Sequence, residues 1–177
     1  MSFPVYLALA LYALPALAHP SPDVPVRARF ANDGVAVIQV EVDPRCFEDD
    51  PLHAPYLTRR ELLEMSPAQR RQLEARAAAF IAATIRFFFE PTALTPEFHY
   101  TFTAHGGKPL GSEPETPVML MAESRLVIPE ETNAYWIEAL PDGKHSVLFQ
   151  NLKNGVEQKK NVLFPGETSY RLRFDQS

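Results

Sequence analysis

The sequence predicts a mainly β protein with an α-helical part: an antiparallel immunoglobulin-like β-sandwich with a helical segment inserted after its first hairpin. Stretches that alternate apolar and polar residues recur along most of the chain, and this period of two is typical of half-buried strands. Turn-forming residues separate these stretches at the spacing of a sandwich or barrel. One internal stretch instead carries two helix-capping signals. With 177 residues, 46% of them hydrophobic, the chain is large enough to bury a core.

Residues 1–18 predict a signal peptide. They contain no Asp, Glu, Lys or Arg, and the apolar run over residues 5–18 ends in an Ala-Leu-Ala sequence, which has the small residues required before a signal-peptidase cleavage site. The run is shorter than the ~20 residues of a transmembrane helix, so no membrane span is expected after its removal. We therefore expect residues 19–177 to form a single domain in the periplasm or outside the cell.

The body of the protein begins with a predicted hairpin. Residues 24–30 and 35–42 alternate apolar and polar side chains. The Asn-Asp-Gly sequence at residues 32–34 supplies residue types that tolerate a positive φ in tight turns. Residues 43–55 are acidic, rich in proline and without periodicity, and they predict a long loop.

Two capping boxes predict the helical insertion at about residues 58–84. Thr58 precedes Glu61, and Ser66 precedes Gln69, at the spacing that lets side chains satisfy the first free backbone N–H groups of a helix. A proline at the first position supports the second helix, which we expect over residues 67–83. Its core-facing stripe is Leu73, Ala77, Phe80, Ile81 and Thr84.

The rest of the chain predicts strands separated by turns that contain Gly, Pro, Asn or Asp. The strands are expected at residues 85–90 (buried on both faces), 97–103, 118–121, 125–128, 134–139, 145–150, 157–164 and 168–174. Their aromatic residues are expected to fill the core. These are Phe87, Phe88, Phe89, Phe98, Tyr100, Phe102, Tyr135, Trp136 and Phe149.

Composition and motifs argue against several function classes. The formal net charge is −5 and no basic cluster is present, so nucleic acid is not expected as a partner. The sequence lacks the glycine-rich motifs that hold phosphates and the G-x-S-x-G motif of serine hydrolases. Cys46 is the one cysteine, and the acidic residues around it disfavour the thiolate that a nucleophile needs. The residues therefore favour a protein that is not an enzyme.

The acidic loop at residues 43–50 has two interpretations. Its carboxylates are the ligand type that calcium prefers, but the regular spacing and the central glycine of an EF-hand are missing. A solvated acidic loop is the favoured interpretation.

His19 is the candidate metal ligand. Cleavage after residue 18 would make it the first residue of the mature chain, where its α-amine and imidazole could chelate copper or nickel. The bland interpretation, an incidental histidine in a proline-rich leader, is favoured over the chelate. The other histidines lack a recognised metal-binding spacing, so the second ligand stays unidentified; they are His53, His99, His105 and His145.

The order of these features resembles a known group of exported proteins. The His-Pro sequence after residue 18, the turn at residues 32–34 and the segment from Tyr56 to Ile85 carry the resemblance. They resemble uncharacterised exported bacterial proteins and the extracytoplasmic N-terminal region of hydrogenase/urease accessory membrane proteins, which are similar to nickel or cobalt permeases. The multi-helix membrane part of that family has no counterpart in this sequence, so the resemblance assigns no transport role and no site residues.

Three functions follow as hypotheses. The first is an exported, non-enzymatic binding or interaction module whose partner is an envelope or membrane protein. The alternative is a periplasmic copper- or nickel-binding protein that uses His19. The third, ranked last, is a hydrolase with a site assembled from Asp49, His53 and His105, for which no spacing argument exists.

Overall fold

The structure is a computed structural model that describes residues 23–91 and 94–174. The predicted signal peptide and His19 lie outside the described residues. The fold is mainly β, with 42% strand and 21% helix, so the predicted class is confirmed. No helix in the described ranges is both long and apolar enough to cross a lipid bilayer.

The described residues contain strands and helices in the following order. They are β1 (Val24–Phe30), β2 (Val35–Val42), α1 (Arg59–Glu64), α2 (Pro67–Thr84), β3 (Ile85–Glu90), β4 (His99–Thr103), β5 (Met119–Val127), β6 (Ala134–Ala139), β7 (Val147–Lys153), β8 (Val156–Leu163) and β9 (Leu172–Arg173), with short 3-10 turns at Pro44–Phe47 and His105–Gly107.

The strands form two sheets. The larger sheet has six strands in the order β4-β5-β2-β1-β7-β8, and the smaller has three in the order β3-β6-β9. The predicted hairpin of β1 and β2 is confirmed, with Val26 opposite Val40. The expectation of antiparallel pairing throughout is wrong for β1 and β7, which are parallel with Val26 opposite Phe149. Parallel neighbours need a long crossover, and here both helices and strands β3 and β6 of the small sheet lie between β1 and β7 in the chain.

Three strand predictions in the second half of the chain need correction. The strand expected at residues 168–174 forms only at β9 (Leu172–Arg173). Residues 118–121 and 125–128 belong to one strand, β5, which pairs continuously with β2 from Val35 opposite Val127 to Val42 opposite Leu120. The polar residues between them looked like a break, but Ser124 is buried opposite Ile38.

The helical insertion forms as its capping signals predict. The Thr58 amide donates to Glu61 Oε2 at 2.7 Å, and Thr58 Oγ1 accepts from the Glu61 amide at 3.3 Å. Ser66 and Gln69 cap α2 in the same reciprocal way, at 2.8 and 3.3 Å. Of the predicted core-facing stripe of α2, the buried residues are Ala77, Ile81 and Thr84, and the half-buried ones are Leu73 and Phe80.

Both sheets and α2 share one apolar core. Val26, Ile38 and Leu120 face inward from the large sheet, and Tyr135 faces inward from the small one. The ring of Phe30 on β1 lies 4.9 Å from the ring of Tyr135 on β6. The small sheet therefore covers part of the inner face of the large sheet.

Two of the aromatic residues predicted for the core lie on the outer face of the small sheet. Phe88 on β3 and Trp136 on β6 are half-buried and stack with ring centroids 5.0 Å apart and an interplanar angle of 6°. The guanidinium of Arg171 lies 4.2 Å from the centre of the Trp136 ring. Strand β3 alternates in burial although it contains three consecutive phenylalanines. Phe89 points inward, while Arg86 and Phe88 point outward. The prediction that this strand is buried on both faces is therefore wrong.

A candidate binding groove on the large sheet

A groove of about 640 Å³ lies on the outer face of the large sheet. Alternate residues of a strand face the same side of a sheet. The outward-facing residues of neighbouring strands therefore line the groove together. Its floor consists of Pro25 and Leu148, which are register partners on β1 and β7, and of Met119 and Met121 on β5. We call this feature the sheet groove. Apolar floor residues give it the character of a ligand-binding surface.

One side of the sheet groove is formed by the contact between the side chains of Glu41 and His105. The Glu41 side chain is only 7% exposed, and its Oε1 lies 2.9 Å from Nδ1 of His105, whose side chain is 81% exposed. The turn that carries His105 packs on the floor, because a methyl group placed on Gly107 would lie 3.0 Å from Cε of Met121. Glu41 therefore holds an exposed imidazole at a defined place on the rim.

The neighbouring rim is formed by Asp43, Arg45 and Tyr56. Asp43 accepts hydrogen bonds from Nε of Arg45 at 2.9 Å, from Nη2 at 2.7 Å and from the Arg45 amide at 2.9 Å. The guanidinium carbon lies 3.5 Å from the centre of the Tyr56 ring. The side-chain hydrogen bonds that Arg45 donates to Asp43 raise the pKa of Arg45, so the guanidinium stays charged between a carboxylate and an aromatic ring.

The opposite rim is cationic. Arg27 on β1 donates from Nε to Oε1 of Gln150 on β7 at 2.9 Å. Gln150 also donates to the Glu157 carboxylate. Lys160 on β8 lies opposite Gln150 in the sheet register. Arg27 and Lys160 therefore flank an amide that is already held by hydrogen bonds.

Cys46 lies beside this region but does not have the properties of a nucleophile. Its side chain is buried, and burial, assisted by the negative charge of Asp43, raises the pKa of the thiol to about 12. At neutral pH the thiol is protonated, whereas nucleophilic attack requires the thiolate.

The residues of the hydrolase hypothesis are not brought together. Asp49 and His53 line one cavity, while His105 lines the sheet groove. His53 pairs instead with Asp50, Nδ1 to Oδ2 at 2.8 Å, and this hydrogen bond lowers the pKa of the Asp50 carboxyl. The pair is exposed, so it is a surface contact.

The remaining histidines also lie apart. His145 is buried with its ring 5.2 Å from that of Phe80, and His99 is exposed on β4 opposite Glu123. Within residues 23–91 and 94–174, no three His, Cys, Asp or Glu side chains are grouped as a metal site. The metal prediction for His19 stays a prediction, since that residue is outside the described ranges.

Comparison with known proteins gives no further guide to the site. No model of a protein family matches the sequence, and a search of curated proteins finds no significant match.

The sequence did not indicate the main residues of the sheet groove. Glu41 appeared as the polar half of an alternating strand, and His105 as an isolated histidine in a glycine-rich loop. The one available signal was the phase of β2, which places Gln39 and Glu41 on the outer face. Their partners come from segments far away in the chain.

Proposed function

We propose that this chain is an exported, non-enzymatic binding module whose partner binds in the sheet groove. The observation that supports this proposal is the combination of an apolar floor with polar rims whose side chains are already held by contacts within the protein. The volume of about 640 Å³ lies in the ordinary range of ligand sites, about 300 to 1,000 Å³.

The pre-arranged rim supports binding because it lowers the entropic cost of association. Arg45 is held by Asp43 and Tyr56, and Arg27 is held by Gln150. Side chains that are ordered before binding do not lose rotamer freedom when a partner arrives, a cost of about 0.5 to 1.5 kcal/mol for each long side chain. The apolar floor contributes affinity in proportion to the area that a partner covers.

The protonated state of Cys46 supports a binding role over a catalytic one, because the thiol nearest to the groove is not nucleophilic at neutral pH. In this proposal the two sheets form an immunoglobulin-like sandwich in the periplasm or outside the cell. The larger sheet presents the sheet groove to an envelope or membrane protein.

A substitution in the groove floor tests the proposal. Met121→Arg would place a charge on the apolar floor, while Val127→Arg changes the same strand and face at a position that is 76% exposed and outside the groove. The purified mature chain is incubated with the solubilised envelope fraction of its native host. We expect the wild type and Val127→Arg to retain the same partner, and Met121→Arg to lose it.

Two outcomes would contradict the proposal. Wild-type protein that retains nothing above background would argue against a binding module. Equal capture by both variants would move the binding surface away from the sheet groove.

A second candidate function is copper or nickel binding by His19, and the geometry of His105 favours it. Nδ1 of His105 faces the Glu41 carboxylate, which leaves Nε2 available, and a carboxylate that orients a histidine is the common second layer of metal sites. Asp23 lines the same groove. Since His19 lies only four residues before Asp23, we propose His105 as its partner ligand in this second function.

Calorimetric titration of correctly processed protein with Cu²⁺ and with Ni²⁺ tests this second function. We expect sub-micromolar binding that is lost when an additional residue precedes His19 and weakened by His105→Ala. His99→Ala, on exposed β4, is the matched control. Unchanged affinity after capping the amino terminus would eliminate the chelate.

A further inference from the structure

The small sheet ends in a strand edge without a neighbouring strand. β3 is the outer strand in the order β3-β6-β9, and within the described residues no segment pairs with its other side. Exposed strand edges offer rows of free N–H and C=O groups to other chains. Natural proteins normally protect such edges, so an open one requires an explanation.

The hydrogen-bond phase identifies the backbone groups on the free edge. The Leu140 amide donates to the Thr84 carbonyl at 2.8 Å, and Phe88 is opposite Trp136 in the same register. Hydrogen-bonded positions alternate along an antiparallel strand. Arg86, Phe88 and Glu90 therefore point their backbone groups toward β6, and Phe87 and Phe89 point theirs toward the free edge.

We propose that a second copy of this chain pairs with β3 through this edge, antiparallel and with the twofold axis at Phe88. Residues 86–90 read Arg-Phe-Phe-Phe-Glu. Phe88 is therefore flanked by a phenylalanine on each side, and the two ends of the segment carry opposite charges. In this register Arg86 lies opposite Glu90 of the second copy, and Phe87 lies opposite Phe89 of the second copy. The charges at the ends are complementary in both halves of the dimer.

The backbone groups fit the same register. Phe87 and Phe89 are the positions with free edge groups, and they are the positions that oppose each other across the axis. Each such pair would exchange two N–H···O=C hydrogen bonds. The Ile85 amide already donates to the Ile81 carbonyl, and Pro91 has no N–H, so the pairing is confined to residues 86–90.

The side chains on the outer face also favour a second copy as the occupant. Arg171, Trp136 and Phe88 already stack across the small sheet. Directly opposed residues that do not share hydrogen bonds have the closest side chains in an antiparallel pair. Phe88 would meet its own counterpart in this way, and the aromatic stack would continue into the second copy.

The surface charges point to the same occupant rather than to an unrelated peptide. The side chains of Arg86 and Glu90 are 60% and 47% exposed. Arg86 pairs with Glu138 on β6, and Glu90 pairs with Arg171, the residue before β9. An unrelated strand would need an acid and a base at the same spacing, whereas a second copy supplies both. Dimerisation through β3 would leave the sheet groove, on the outer face of the other sheet, open.

Register-specific cross-linking tests the proposal. In the full mature chain, Phe88→Cys places two thiols at opposed positions with Cα atoms about 4.5 Å apart, within the range of a disulfide. Arg86→Cys places its two thiols about 13 Å apart along the strand, beyond that range. We expect Phe88→Cys to form a disulfide dimer under mild oxidation at least about tenfold faster than Arg86→Cys or the exposed control Val127→Cys.

A complementary mixture keeps Phe88 intact in case its loss impairs folding. Arg86→Cys and Glu90→Cys chains, mixed in equal amounts, should form the mixed disulfide in preference to either homodimer. Native Cys46 is buried and should not contribute.

Sedimentation of the wild-type chain over a range of concentrations supplies an independent reading. A reversible monomer–dimer equilibrium is expected, and Arg86→Glu should weaken it at least about tenfold by placing like charges opposite each other. A monomer at all concentrations would overturn the proposal. A dimer in which neither Phe88→Cys nor the mixture cross-links faster than Val127→Cys would overturn it as well.

Discussion

Burial controls the chemistry of Cys46. Its pKa rises to about 12 in the folded chain from an ordinary value of 9.0, mainly because the thiolate would lose its hydration. A folded-state pKa above the unfolded one means that the contribution to stability is present below pH 9 and is lost as the pH rises toward 12. Cys46 therefore makes the fold sensitive to alkali.

This gives a prediction for the pH dependence of stability. The free energy of unfolding of the wild type should fall more steeply between about pH 9 and 11 than that of Cys46→Ala, because only the wild type loses the buried protonated thiol. Urea unfolding at a series of pH values measures both slopes. Parallel slopes would show that Cys46 titrates alike in the folded and unfolded chains.

Tyr135 shows what happens when a buried polar group lacks a partner. Its side chain is completely buried and, among the described residues, its hydroxyl has no hydrogen-bond partner. Leaving such a group unpaired costs about 1 to 3 kcal/mol. Tyr135→Phe should therefore raise the free energy of unfolding by about 1 kcal/mol, measured by urea denaturation. A loss of stability would show that the hydroxyl is satisfied in solution.

At the scale of elements, α2 depends on its cap. The buried residues of this helix are Ala77, Ile81 and Thr84, and its exposed face is polar or small. The reciprocal hydrogen bonds of Ser66 and Gln69 satisfy the backbone at its start. A short buried stripe makes the contribution of the cap relatively important.

Ser66→Ala should lower the free energy of unfolding by about 1 kcal/mol, because the Gln69 amide loses its acceptor. Ser66→Asp, which keeps an oxygen acceptor at the cap and adds a charge favoured near a helix start, is the matched control and should retain stability. Thermal unfolding followed by circular dichroism measures the difference. Equal losses of stability in both variants would show that the cap does not contribute to the free energy of unfolding.

At the scale of the whole molecule, aromatic contacts join the two sheets. Phe30 of β1 lies 4.9 Å from the ring of Tyr135 on β6 and 5.0 Å from that of Phe174. Phe149 on β7 approaches Tyr170, near β9, at 6.0 Å. Neither sheet has a separate core, so the two should unfold together.

Trp136, the single tryptophan, lies in the small sheet and provides the test. Its fluorescence and the far-ultraviolet circular dichroism should report the same urea midpoint, as expected for one cooperative unit. Phe30→Ala should shift both midpoints together, at a cost of about 3 to 5 kcal/mol. A fluorescence transition that precedes the other would mean that the small sheet unfolds separately.

The sequence by itself determined the local structure of this protein. The hairpin of β1 and β2, the two capped helices and most turns follow from interactions between residues a few positions apart, such as those of Thr58 with Glu61 and Ser66 with Gln69. Such contacts depend only on the types and the spacing of nearby residues, so they can be predicted from the sequence.

Only the tertiary structure decided which strands are neighbours and which side chains meet. The parallel pairing of β1 with β7, the contact of Glu41 with His105 and the outward stacking of Phe88 on Trp136 join residues that are distant in the chain. Local periodicity does not specify partners across a sheet, since many strand orders bury the same apolar faces. The sheet groove and the free edge of β3 exist because of that choice of neighbours.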